Sequence, residues 1–156
     1  MKPASDYSRA TNGHPERSTP YSMPDGSAND AAVRHRVETL AQAIREKNLD
    51  ALMAHYAPDV IVFDVMPPLN VRGAEAYRKN FERWFSSMHG PINYEMQGLR
   101  ISQSESHAFC HCLSHVTGTR KGGEQADYWV RVTNCFQQVN GQWLIAHEHI
   151  SMPATM

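Results

Sequence analysis

The 156-residue chain has the length of one domain, enough to bury a single substantial core and too little for two ordinary ones. Lys and Arg number 15 against 16 Asp and Glu, a balance that gives no strong field for nucleic acid or an anionic membrane and fits a small, nearly neutral partner better. Cys110, Cys112 and Cys135 form an odd set without a Cys-x-x-Cys pair, which argues against a disulfide framework or a structural zinc site and favours a reducing cytoplasm. No apolar run reaches the roughly 18 residues that a membrane helix needs. The N-terminus also lacks the apolar segment of a secretory signal.

Residues 1 to about 28 mix Pro3, Pro15, Pro20, Pro24, Gly13 and Gly26 with Ser, Asn and charges. So few aliphatic side chains cannot offset the entropy of ordering, and the stretch reads as a disordered or loosely docked tail ahead of a domain from Asn29 onward. From an N-cap at Asn29 or Asp30, Val33, Val37, Leu40, Ala41 and Ile44 recur at helical spacing, which predicts an amphipathic helix to about Lys47. A short second helix follows from Leu49 to Tyr56, with Pro58 closing it. Val60 to Val65 is β-prone and carries Asp64 near its end, before the rigid Met66-Pro67-Pro68-Leu69 loop. Gly73 opens a third helix to Met88, whose apolar face holds Ala76, Tyr77, Phe81, Trp84 and Phe85. Gly90-Pro91 stops it.

Four strands remain: Ile92 to Gln103, His107 to Thr119, Gln125 to Val139 and Gln142 to Met152, separated by Ser104-Glu105, Lys121-Gly122-Gly123 and Asn140-Gly141. Helices first and long strands afterwards make an α+β domain, one curved antiparallel or mixed sheet wrapped around three helices.

Asp64 ends a short apolar strand where a carboxylate has no evident packing duty. A carboxylate set in an apolar cavity can exchange a proton near neutral pH, although aspartate also caps loops. On the last strand Trp143, Ile145, His147, His149 and Ser151 recur at period two, a core wall that becomes a pocket wall. His107, Phe109, His111, Leu113 and His115 share one face of an earlier strand, and Ala108, Cys110, Cys112 and Ser114 the other. One of these faces meets the helices. If it is the histidine face, His111 joins His147 and His149 around one cavity, a set that would also suit a metal ion. The demands of ligand geometry weigh against that, and no metal is expected. Cys110 and Cys112 read as small buried side chains. Arg131, sharing a face with Asp127, Trp129, Thr133 and Cys135, would either anchor an anion or pair with Asp64 or Glu148. Trp129, Trp84 and Tyr56 suit either a core or a cavity wall.

From about Ala31 to Pro153 these residues resemble the nuclear transport factor 2-like superfamily, which includes steroid Δ-isomerases, polyketide cyclases, scytalone dehydratase and limonene epoxide hydrolase. The segment YAPDVIVFDVMPPLNVRGAEAYR, Tyr56 to Arg78, resembles the matching stretch of bacterial steroid isomerases and implies that Asp64 stands where those enzymes place their general base. The terminal GQWLIAHEHIS is similar instead to the polyketide-cyclase-like branch and to the association domain of calcium/calmodulin-dependent protein kinase II. Leu40 stands where a steroid isomerase has its helical tyrosine donor, and Thr133 or Cys135 where it has its second donor, an aspartic acid. The loss of both argues against a steroid isomerase. The resemblance also gives His111 a pocket-wall position, and thus points the histidine face inward.

The expected protein is a cofactor-independent isomerase, cyclase or dehydratase with Asp64, His147 and His149 as catalytic groups. His111, Arg131, Tyr56, Trp84 and Trp129 would contact a small, mostly apolar, carbonyl- or hydroxyl-bearing molecule. A homodimer is expected, without nucleic acid or membrane as partner. The alternative is a non-catalytic binding or assembly module of the same fold.

Overall fold

The computed structural model describes residues 30–156, so the tail reading and a cap at Asn29 lie outside the described residues. Helix α1 covers Ala31–Arg45 and buries Val33, Val37, Leu40, Ala41, Ala43 and Ile44, the stripe expected from a 3.6-residue period. Asp30 precedes it without a side-chain cap. Its carboxylate instead meets Arg34 at 3.3 Å. Two basic side chains of α1 and Lys47 just beyond it fasten this segment to backbone carbonyls elsewhere. Arg36 Nε donates to Trp143 O at 2.9 Å, Arg45 Nε to Tyr94 O at 2.9 Å, and Lys47 Nζ to Met88 O at 2.9 Å.

Helix α2 is only Leu49–Met53, capped by Asn48, whose side chain accepts from Ala51 N at 3.1 Å. The chain is extended by Tyr56, and strand β1 runs Tyr56–Phe63 through Pro58. The expected helix to Tyr56 is therefore shorter and the following strand starts earlier. Pro58 lacks the N–H a ladder needs, and the pairing of β1 is irregular between Tyr56 and Ile61 around it. Strand β2, Val71–Arg72, pairs back on β1. Gly73 then turns the chain into helix α3, Ala74–Ser87, which buries Tyr77, Phe81 and Phe85 while Ala76 stays exposed.

Gly73 has φ +88° and ψ 148°, a conformation open in practice only to glycine. A Cβ there would find no atom closer than Pro58 O at 3.5 Å, so space is not what forbids a side chain. Gly73→Ala is expected to cost about 1–3 kcal/mol of stability from backbone strain alone, read by urea denaturation. An unchanged midpoint would refute the requirement.

Strands β3 (Met88–Gln103), β4 (His107–Arg120), β5 (Gln125–Val139) and β6 (Gln142–Ser151) complete a six-stranded mixed sheet in the order β2-β1-β6-β5-β4-β3. All neighbours are antiparallel except β1 and β6, which run parallel. Long strand β3 is broken in register near Gly90-Pro91 and again at Gly98, whose φ of +66° suits a bulge. Such bulges bend a sheet, and here the sheet stays open while its inner face covers α1 and α3. Among the described residues no helix is long and apolar enough to cross a membrane.

The inner face is read most directly from β5, where Ala126, Val130, Val132, Asn134 and Phe136 are buried. Their β4 partners by register are Gly118, Ser114, Cys112, Cys110 and Ala108, all small. Small side chains on the concave side let the helices approach. Phe109, His111, Leu113 and His115 consequently occupy the outer face, the reverse of the inward histidine face expected from the resemblance.

Candidate functional site

Between the helices and the inner sheet face lies a cavity of about 1240 Å³, larger than the ~300–1,000 Å³ of most ligand pockets. Its wall is an aromatic run along one side. The Tyr56 and Tyr77 rings meet edge to face with centroids 5.2 Å apart, Tyr77 lies 4.6 Å from Phe81, and Phe81 lies 6.3 Å from Trp84. Helical spacing puts Tyr77, Phe81 and Trp84 on one stripe of α3, and the cavity uses that stripe.

Of the carboxylates that line this cavity, Asp64 and Glu148 stand beside the aromatic wall. Asp64 continues the inward phase of Val60 and Val62 just past the end of β1, which is why it faces the interior. Its Oδ1 accepts from Val65 N at 2.7 Å and its Oδ2 from Asn80 Nδ2 at 2.9 Å. Arg83 Nη2 donates in turn to Asn80 Oδ1, which holds that amide with its N–H toward Asp64.

Glu148 is the second; the sequence left open whether it, with Leu144 and Ala146, or His147 and His149 face the cavity, and named it as neither a catalytic nor a substrate-contacting group. Only 3% exposed, its Oε1 accepts from Tyr56 Oη at 2.9 Å and Asn134 Nδ2 at 2.8 Å, while its Oε2 accepts from Tyr77 Oη. Burial pushes the Glu148 carboxyl above the usual glutamate range, against the lowering effect of the hydrogen bonds from Tyr77, Tyr56 and Asn134. Burial and the neighbouring Glu148 charge raise both phenols well above their ordinary value, so they remain O–H donors.

The reason Glu148 faces inward, and the histidines do not, is one extra residue. Phe136 pairs with Ile145, but Cys135 pairs with His147 and Asn134 with Glu148. Ala146 is thus bulged, and the pleat changes phase there. Trp143 and Ile145 are inside, then Glu148, while His147 and His149 turn outward. His147 Nδ1 donates to Ile61 O at 2.7 Å, and the rings of His147 and His149 lie 4.9 and 5.6 Å from Phe63. His149 also borders the cavity, although it is exposed.

The remaining expected contacts divide the same way. Tyr56 and Trp84 line the cavity, whereas His111, Trp129 and Arg131 belong to the outer face because they alternate with buried Cys110, Cys112, Val130 and Val132. Trp129 stacks on His115 at 4.4 Å, and His115 Nε2 meets Asp127 Oδ1 at 2.7 Å. Arg131 binds neither Asp64 nor Glu148. Its Nε donates to Ser151 Oγ at 3.0 Å and its Nη2 to Met152 O at 2.9 Å, fastening the exit of β6. Leu40 lines the cavity as expected of an apolar residue, and the inward residue between Thr133 and Cys135 is Asn134. Burial drives the Cys110 thiol up to about 12, with Cys112 adding to it. Such a thiol stays protonated at neutral pH. Among the described residues no group of three or more His, Cys, Asp or Glu is placed to hold a metal ion.

Glu148 ties stability to pH with a defined sign. Its folded value lies above the usual 4.5, so its contribution is complete below the unfolded value and is lost as pH rises through the folded one. Glu148→Gln removes that titration. Wild-type stability relative to Glu148→Gln is therefore expected to fall between acid and neutral pH, read from urea midpoints. A difference that does not change with pH would refute the assignment.

A SnoaL-like domain matches residues 33–155. No curated protein matches the chain. Among solved structures, an NTF2-like protein of unknown function from Pseudomonas putida KT2440 is 27% identical, with a TM-score of 0.75 over 84% of this chain and 91% of that one. A ketosteroid isomerase-like protein from Erwinia carotovora atroseptica SCRI1043 is 17% identical, with a TM-score of 0.69 over 81% and 97%. A Xanthomonas campestris protein, provisionally a calcium/calmodulin-dependent protein kinase II association domain, is 22% identical, with a TM-score of 0.71 over 86% and 94%. The last two share the fold at identities too low to carry more. With the domain spanning most of the sequence and the open α+β sheet common to these structures, the chain belongs to the SnoaL-like domain family of the NTF2-like superfamily.

Proposed function

We propose that the protein is a cofactor-independent acid–base enzyme of the isomerase, cyclase or dehydratase type, with Asp64 as the group that moves the proton. The observation that carries this reading is the pair of carboxylates, Asp64 and the buried Glu148, on one mostly apolar cavity with an aromatic wall. Asp64 takes a proton from a carbon beside an oxygen-bearing carbon. It then returns that proton to another substrate atom, giving isomerisation, or to a departing hydroxyl, giving dehydration. Either sequence balances without a redox partner. Glu148 and its two phenols hold the polar end of the substrate, the task that the sequence had suggested for the histidines.

Incubating the protein in D2O with a panel of apolar ketones and hydroxyketones tests this. Deuterium uptake or loss of water catalysed by wild type and suppressed in Asp64→Asn is expected. Equal rates for the two proteins would overturn the reading.

A second reading concerns the outer sheet face, where Phe63 and Phe109 are 41% and 49% exposed beside His147, His149 and His111. So much apolar surface on one face suits a homodimer. Light scattering after size exclusion decides it, and a monomer that persists at high concentration removes the proposal.

A further inference from the structure

The direction of every hydrogen bond around the two carboxylates restricts what the cavity can hold. Both phenolic O–H groups and one amide N–H of Asn134 are aimed at Glu148, and an amide N–H of Asn80 is aimed at Asp64. At this end of the cavity the tyrosines and carboxylates therefore present lone pairs to a ligand. Glu148 Oε1 has two donors and Oε2 one, which leaves Oε2 open to another among the roughly four acceptor positions of a carboxylate. The only buried side-chain polar atom without a partner among the described residues, Trp84 Nε1, is closed off from accessible space.

Charge points the same way. The cavity wall includes four carboxylates, Asp64, Glu124, Asp127 and Glu148, against two guanidiniums, Arg83 and Arg120, and no lysine. Of the carboxylates Glu148 is the one sealed from water, at 3% exposed, and no cationic side chain bonds to it. An isolated buried anion is costly unless a counter-charge accompanies it. The rings next to it, Tyr56, Tyr77 and Phe81, lie 4.6–6.1 Å from one another and form an apolar corner of the kind that attracts organic cations.

We propose that the cavity takes a ligand carrying a protonated amine on an apolar ring-sized body, with Glu148 as the counter-ion of the ammonium. This deepens the enzymatic reading by naming the class of its substrate, an amine that also bears the reacting oxygen, and it leaves Asp64 free for the proton. It depends on that reading for the location of the site and not for the chemistry.

Isothermal titration with three isosteric probes tests it: 2-naphthylmethylammonium, 2-naphthylmethanol and 2-naphthoate. The ammonium is expected to bind at least about tenfold more tightly than the alcohol, with the carboxylate weakest. Glu148→Gln is expected to erase the advantage of the ammonium, so that the ammonium and the alcohol bind that variant with similar affinity. The wild-type ranking is read without any variant, so it stands whether or not Glu148→Gln folds. No binding of the ammonium, a carboxylate that binds as tightly, or a preference that survives in folded Glu148→Gln would each overturn the proposal. Asp64→Asn separates this inference from catalysis. Loss of proton exchange with the ranking intact supports both, and a ranking intact without any exchange in wild type sinks the enzymatic reading alone.

Discussion

Tyr77→Ala is expected to remove roughly 4–8 kcal/mol of stability, a large share of the ~5–15 kcal/mol of a typical domain. The ring is 1% exposed and packs on both Tyr56 and Phe81, so its deletion leaves a cavity of the kind that costs about 3–5 kcal/mol for an aromatic residue. Its hydroxyl is also one of three donors to Glu148, and a buried acceptor left short costs about 1–3 kcal/mol more. Tyr77→Phe separates the two effects. It keeps the ring and should cost only about 1.5–3 kcal/mol, the usual value for a hydrogen bond to a charged group. Urea unfolding followed by circular dichroism gives both numbers. Equal costs for the two variants would mean that ring packing contributes nothing at this position.

For catalysis the largest effect is expected at Asp64. Asp64→Asn keeps the volume and an oxygen that accepts from Val65 N or Asn80, so folding should be retained. What it removes is the group that takes the proton, which in general acid–base catalysis is worth about 10²–10⁴ in rate. Turnover on any substrate found in the D2O panel should fall by that factor while binding changes little, since Glu148 and the aromatic wall hold the ligand. A fall confined to KM would assign Asp64 to binding instead.

Much of this architecture was legible in the residues. The apolar spacing of α1 and α3, the three turns between the long strands and the α+β order all correspond to elements of the structure. Asp64 was singled out as a carboxylate ending a short apolar strand and by its position in the resemblance, and that strand is regular from Ile61 onward. The misplacements on β4 and β5 share one physical origin. Alternation says which residues share a face and not which face is inside. On β4 the choice lay between Ala, Cys, Cys and Ser on one side and His, Phe, His and Leu on the other. The better guide was β5, where Val130 and Val132 alternate with Arg131 and Asp127 lies in phase with Arg131. Transferring that polarity across the hairpin would have turned His111 outward and brought Asn134 inward.

The β6 bulge had no such guide, because Ala146-His147-Glu148 contains neither glycine nor proline. What settles it is tertiary. Tyr56, Tyr77 and Asn134 come from three different elements to meet one carboxylate, and a local pattern does not report such convergence. The shortening of α2 has a similar cause. Tyr56 is drawn into the sheet beside Ile145 while its hydroxyl reaches Glu148.

For anyone redesigning this cavity, the extra residue at Ala146 amounts to a change of parity within a single strand. Upstream of it the odd positions 143 and 145 reach the interior. Downstream the even positions 148 and 150 do, paired with Asn134 and Val132. A mutagenesis library that varied every odd position of β6 would begin in the core and finish on the outer surface, sampling His147 and His149 while leaving Glu148 untouched. The numbering must be restarted at Ala146.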